Sequence, residues 1–146
     1  MPLSKLTAAP FSLLRGYSIH FKVIATNPYG DSLASDSGNG GIVVLVPDSP
    51  INLQNDLSVT TASVIKFTWD DGAQNGGESI IDYRVSYDQS TGNFVVLASG
   101  VLTREYTTDV TLEAGQFYTF KVEAQNSVGY SAYSAELSIL AAQKPD

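Results

Sequence analysis

An all-β chain built as a two-sheet sandwich is predicted by three observations. First, residues 118–125 alternate strictly: Tyr118, Phe120, Val122 and Ala124 are apolar, while Thr119, Lys121, Glu123 and Gln125 are polar. That period of two gives a strand with one dry and one wet face, whereas a helix needs apolar residues three and four apart. Second, about seven short segments of this kind follow one another at roughly ten-residue spacing, punctuated by Gly, Asn and Pro, the pattern of two stacked antiparallel sheets. Third, 43% of the 146 residues are hydrophobic. That is enough for a core, and the prominent Tyr, Val, Thr, Ser, Gly and Asn suit strands and turns.

Taken in order, Phe11–Leu14 leads into a strand over Ser18–Thr26, which Asn27-Pro28-Tyr29-Gly30 turns. A further strand starts near Leu33, is interrupted by Gly38-Asn39-Gly40-Gly41, and resumes over Ile42–Val46. The glycine cluster reads as a bulge or flexible bend. Val46-Pro47-Asp48-Ser49-Pro50 is a stiff linker, because its two prolines exclude a central strand. Ile51–Leu53 is a short edge strand. Ser63–Asp70 alternates, with Ile65, Phe67 and Trp69 inward. Asp71–Gly77 is a glycine-rich loop. Ile80–Asp88 places Ile81, Tyr83, Val85 and Tyr87 on one face, Phe94–Ala98 returns, and Glu105–Asp109 adds a strand. Gly115 then turns the chain into the strand from Tyr118, Asn126–Gly129 turns it out, and a last strand covers Ala132–Leu140.

The final hairpin has an upstream copy. At an offset of 99 residues Phe21-Lys22-Val23 lies over Phe120-Lys121-Val122, and Leu13, Gly16, Ala25, Asn27, Gly30, Ser32 and Ser35 each meet the same residue type. Leu3-Ser4-Lys5 likewise lies over Leu102-Thr103-Arg104. A period of one small domain means tandem modules. Residues 1–46 are expected to be the C-terminal strands of a preceding module and residues 47–146 a complete one. Gln143-Lys144-Pro145-Asp146 closes the second copy as the linker closes the first. Met1–Leu14 faintly resembles a signal peptide, but Pro10 breaks the run and the repeat explains these residues as strand and loop.

The charge is uneven. Residues 1–48 hold three bases and three acids, and residues 49–146 hold five bases and twelve acids, so the whole net charge of −7 sits on the second copy. Such a surface repels nucleic acid and anionic lipid, and no apolar run approaches the ~20 residues of a membrane helix. The absence of cysteine excludes a disulfide scaffold and thiolate metal sites and leaves the compartment open.

Residues 47–146 resemble a fibronectin type III domain, and residues 1–46 resemble the C-terminal third of another. The residues behind the resemblance are the proline-led start Pro50-Ile51-Asn52-Leu53, Ile65-x-Phe67-x-Trp69, and the glycine-rich loop. They continue with Ile80-x-x-Tyr83-x-Val85-x-Tyr87, Leu112-x5-Tyr118-x-Phe120-x-Val122-x-Ala124-x-Asn126, and Gly129-x-Ser131-x-x-Ser134. The resemblance implies an immunoglobulin-like sandwich whose structural core includes Trp69, Tyr83, Val85, Leu112, Tyr118, Phe120 and Val122. It also implies a tyrosine corner at Tyr118, with the hydroxyl bonded to backbone near Leu112. Ile19 stands at the matching upstream position, so that corner is absent there.

No motif for catalysis or a cofactor is found. His20, the one histidine, alternates outward. Asp70, Asp71 and Glu78 border one loop and form a weak candidate for a calcium site, though their spacing is not that of an EF-hand. Tyr130-Ser131-Ala132-Tyr133-Ser134 stands where cytokine-receptor relatives have a tryptophan–serine box, and it reads as the ordinary opening of the last strand. There is no Arg-Gly-Asp and no Asn-x-Ser/Thr sequon. The resemblance implies a non-enzymatic spacer or adhesion module of a tandem array in a surface or extracellular protein. Its partners are then other protein chains or neighbouring repeats, without nucleic acid, membrane insertion, metal or cofactor. Bacterial relatives of the fold admit an accessory module of a secreted hydrolase, and an intracellular scaffold or filament protein is the other alternative. Three upstream strands cannot close a sandwich. Their edges are expected to be covered by preceding residues or by another chain, the latter giving a homo-oligomer or fibre through residues 1–46.

Overall fold

The computed structural model describes residues 3–143; Lys144, Pro145 and Asp146 of the closing linker, and Met1 and Pro2, lie outside the described residues. The chain forms two compact units, Met1–Leu45 and Val46–Asp146.

In the first unit a short helix, α1 (Leu3–Thr7), precedes the strands β1 (Ser18–Phe21), β2 (Thr26–Asn27), β3 (Gly30–Asp31) and β4 (Gly38–Ile42). Several expectations are corrected here. Residues 3–7 are helical rather than strand or loop. The strand expected over Ser18–Thr26 divides into β1 and β2, because β2 pairs with β3 around the Asn27–Gly30 turn instead of continuing the β1–β4 ladder. The glycine cluster does not interrupt a strand but is one. Ser18, Ile19, His20 and Phe21 pair with Ile42, Gly41, Asn39 and Gly38, with a register shift that leaves Gly40 unpaired as the bulge. The glycines make room for a ring: a Cβ on Gly40 would lie 2.6 Å from the Phe21 ring.

The second unit adds β5 (Ile51–Asn55), β6 (Lys66–Asp70), β7 (Asp82–Tyr87), β8 (Val95–Val101), β9 (Glu105–Thr107), β10 (Phe117–Gln125) and β11 (Leu137–Leu140). Two antiparallel sheets result, one of order β5-β6-β9 and one of order β11-β10-β7-β8. Their inner faces meet in one core of Ile65, Phe67, Trp69, Tyr83, Val85, Leu112, Tyr118, Phe120, Val122, Ala124, Ile139 and Ala141. Trp69 is only 2% exposed and its ring lies edge-on to Tyr83 at 5.4 Å, while Phe67 meets Phe120 at 4.8 Å across the layer. Such ring contacts add to the area buried.

Two readings of this unit are also corrected. Ile81 is 56% exposed, and Ile80 packs on the core instead, because the chain enters β7 only at Asp82. The last strand is shorter than expected. Residues 131–136 lie outside the ladder, because the hydroxyls of Ser131 and Ser134 take the Ala124 and Val122 N–H groups in place of carbonyls. In the stiff proline segment, Pro47 and Pro50 are buried. Asp48 N–H donates to the Gln74 carbonyl at 2.9 Å, and a Cβ on Gly72 would sit 2.7 Å from the Ser49 carbonyl oxygen. Glycine at 72 lets the 71–77 loop lie directly on this segment.

Candidate functional site

Strand alternation sends Arg84, Lys121 and Glu123 to the outer face of the four-stranded sheet. Arg84 sits opposite Glu123 and donates to it through two nitrogens, Nε at 2.7 Å and Nη2 at 2.8 Å. Glu123 is 5% exposed and the Arg84 side chain 28%, so the carboxylate end of this fork-to-fork pair is shielded while the guanidinium keeps contact with water. The bond to Glu123 holds the guanidinium pKa above its ordinary value. The guanidinium carbon also lies 3.9 Å from the Tyr130 ring centre. Lys121 reaches 3.6 Å from the Phe94 ring and 5.4 Å from that of Tyr133, and pairs with Glu136 at 3.2 Å. The result is a ladder of aromatic and charged groups from Phe94, just before β8, across β7, β10 and the 130–136 segment. In the sequence, residues 130–134 read as the ordinary opening of the last strand and neither this ladder nor Arg84 stands out, because the cross-strand register that brings Arg84 to Glu123 is a long-range feature. An Arg at an outward position of one strand and a Glu at an outward position of another were the available signal.

At the edge of the sandwich, Asp71 accepts a hydrogen bond from the Tyr83 hydroxyl and meets Arg104 Nη1 at 3.3 Å. Burial, then Asp71, raises the Tyr83 pKa. These three residues line an open cleft of 610 Å³ with Asn75, Ser79 and Ile80. The weak calcium candidate is not assembled by the fold. Asp70 accepts from Asn52 Nδ2 at 3.0 Å, Asp71 faces Tyr83 and Arg104, and Glu78 is exposed. Among the described residues no three His, Asp or Glu side chains converge. His20 is exposed on β1, opposite Asn39.

The closing hairpins of the two units share one hydrogen-bond plan. In the second unit, Val122 N–H and Ala124 N–H donate to Ser134 Oγ and Ser131 Oγ, both at 3.0 Å. In the first, Val23 N–H and Ala25 N–H donate to Ser35 Oγ and Ser32 Oγ, also at 3.0 Å. Each serine hydroxyl then donates to the carbonyl of the next residue in both units. Asn27 and Asn126 each accept from the N–H two residues on, at 2.9 Å. The Tyr118 hydroxyl accepts from Glu113 N–H at 2.8 Å.

A family model described as "Fibronectin type III domain" matches residues 48–139. A Gallus gallus protein, "Cell adhesion molecule DSCAM", is 33% identical over 114 residues, which is 75% of this chain and 5% of that protein. The crystal structure of titin domains A168–A170 superposes with a TM-score of 0.64 at 22% identity, covering 86% of this chain and 41% of that one. That likeness is one of fold. A solution structure of a fourth human FNIII domain superposes with a TM-score of 0.59 at 28% identity, covering 70% of this chain and 85% of that one.

Proposed function

The chain belongs to the fibronectin type III domain family, and from that premise we propose that it is a non-enzymatic spacer and adhesion module of a tandem array at the cell surface or outside the cell. At the coarser level, its likeness to a cell adhesion molecule supports an adhesion or structural role. The observation behind the tandem reading is the shared hydrogen-bond plan of the two hairpins, repeated at 99 residues. On this reading residues 1–46 are the closing strands of one module, residues 47–146 are the next, and protein chains are the partners. No helix among the described residues is long and apolar enough to cross a membrane.

A module that bears load must yield as one unit. Stretched between residues 46 and 143 in a single-molecule experiment, the protein should lengthen in one step of about 300 Å, the extended length of the released chain less its folded span. Extension without a discrete step sinks the spacer reading.

A further inference from the structure

A second cleft, of 440 Å³, opens in the second unit where the turn after β7 meets the segment 111–118. Tyr87 and Tyr118 supply its aromatic side. Tyr87 is half-buried, with its ring nearly parallel to that of Phe120 at 6.4 Å. Tyr118 is only 5% exposed, and its hydroxyl accepts from the N–H of Glu113, another residue of the cleft. The proton of that hydroxyl has no acceptor among the described residues. Gln89, Ser90, Thr91 and Gln116 supply the amide and hydroxyl side, and all four are exposed. Ser90 Oγ lies 3.5 Å from Gln116 Oε1, at the limit of a hydrogen bond, so both remain open to a ligand.

The turn that presents these groups is strained. Gln89 and Ser90 have φ of 54° and 59°, in the left-handed region that a side chain disfavours. The carboxylate of Asp88, itself buried, holds the turn by accepting from Ser90 N–H at 3.0 Å and Thr119 N–H at 2.9 Å. Glycine would make the same turn without strain, so Gln89 and Ser90 bring side chains to the cleft against the preference of the backbone. Strain of this kind collects at ligand clamps.

The lining selects the ligand. Among the described residues no lysine, arginine or histidine borders the cleft, and its one acidic side chain is Glu113, so an anion is disfavoured. An apolar ligand would strip water from amides and hydroxyls without replacing their bonds. Amides and hydroxyls both donate and accept, which matches a molecule whose own groups do the same, and a tyrosine ring offers a flat surface to its C–H groups. We propose that this cleft binds a neutral oligosaccharide, with one sugar ring along Tyr87 and its hydroxyls held by Gln89, Ser90, Thr91 and Gln116. The site needs only the second unit and is independent of how residues 1–46 are completed.

The test titrates the full chain with neutral oligosaccharides of glucose, galactose, mannose and N-acetylglucosamine, followed by amide NMR. At least one should shift the Ser90, Thr91 and Gln116 resonances saturably, with a Kd of about 1 mM or tighter. Gln89→Gly should weaken that binding about fivefold at a melting temperature no lower than the wild type's, since relief of the turn offsets the looser unfolded chain. Gln116→Ala should weaken it as much at an unchanged melting temperature. No saturable shift with any of these sugars at about 10 mM, shifts confined to residues outside the cleft, or wild-type affinity in both variants overturns the proposal. So does saturable binding of a heparin fragment or of lysine methyl ester at the same resonances with no sugar bound, which would make the cleft a site for ions.

Discussion

The Tyr118 hydroxyl holds one backbone N–H, that of Glu113. Tyr118→Phe deletes that bond and little else, so about 1 kcal/mol of stability should be lost, read from the urea midpoint at unchanged slope. An unaltered midpoint would mean that water replaces the hydroxyl without cost. Trp69 is different in kind, because its indole fills the layer between the sheets beside Phe67 and Tyr83. Trp69→Ala leaves a cavity there and should cost about 3–5 kcal/mol; a melting shift of a degree or two would show that the core closes over the gap. Two other tyrosines govern the alkaline limit. Burial, then the hydrogen bond to Asp109, pushes the Tyr106 pKa up to about 12, and Tyr83 is raised in the same direction. The folded chain therefore keeps protons that the unfolded chain releases near its ordinary pKa of about 10. The stability this represents is complete below about pH 10 and is lost as pH rises toward 12. The urea midpoint should fall over that window, and Tyr106→Phe should flatten the fall; an identical slope in the variant would refute the assignment.

At the scale of elements, the 71–77 loop and the Val46–Pro50 segment act together. Asp48 N–H is held by the Gln74 carbonyl, and Asn126 Nδ2 donates to the Asn75 carbonyl at 2.9 Å, so one loop ties the start of the unit to the turn after β10. Gly72→Ala pushes a methyl group into the Asp48–Ser49 backbone. The loop must shift or both ties must stretch, at a cost of about 1–3 kcal/mol. Thermal melting would measure it, and a wild-type melting temperature would show that the loop is not fixed by this contact. The Ser131 and Ser134 side chains do a related job for 131–136, satisfying buried N–H groups where no ladder continues.

For the molecule as a whole, the two units differ in how much apolar surface they hide. The second has a continuous core between two sheets, whereas Phe11, Leu14, Phe21, Val23 and Ile24 of the first are more than half exposed. Segments with few buried contacts open most readily. Limited proteolysis should therefore cut within Met1–Leu45 first and leave a resistant fragment beginning near Val46. Simultaneous loss of both units would contradict this.

The fold class was legible in the sequence because a strand's alternation is local. Tyr118–Gln125 declares its dry face without knowledge of any neighbour, and the 99-residue offset declares the repeat of the hairpin by itself. What the tertiary structure decided depends on partners far away in sequence. The pairing of Arg84 with Glu123 needs the β7–β10 register, the close approach of the 71–77 loop to Asp48 and Ser49 needs Gly72, and the seat of the Phe21 ring needs the glycines of β4. The separation of the Asp70, Asp71 and Glu78 carboxylates follows for the same reason, since each takes its direction from the packing around it. Pattern fixes which way a residue faces along its own strand; only the closed fold fixes what it faces.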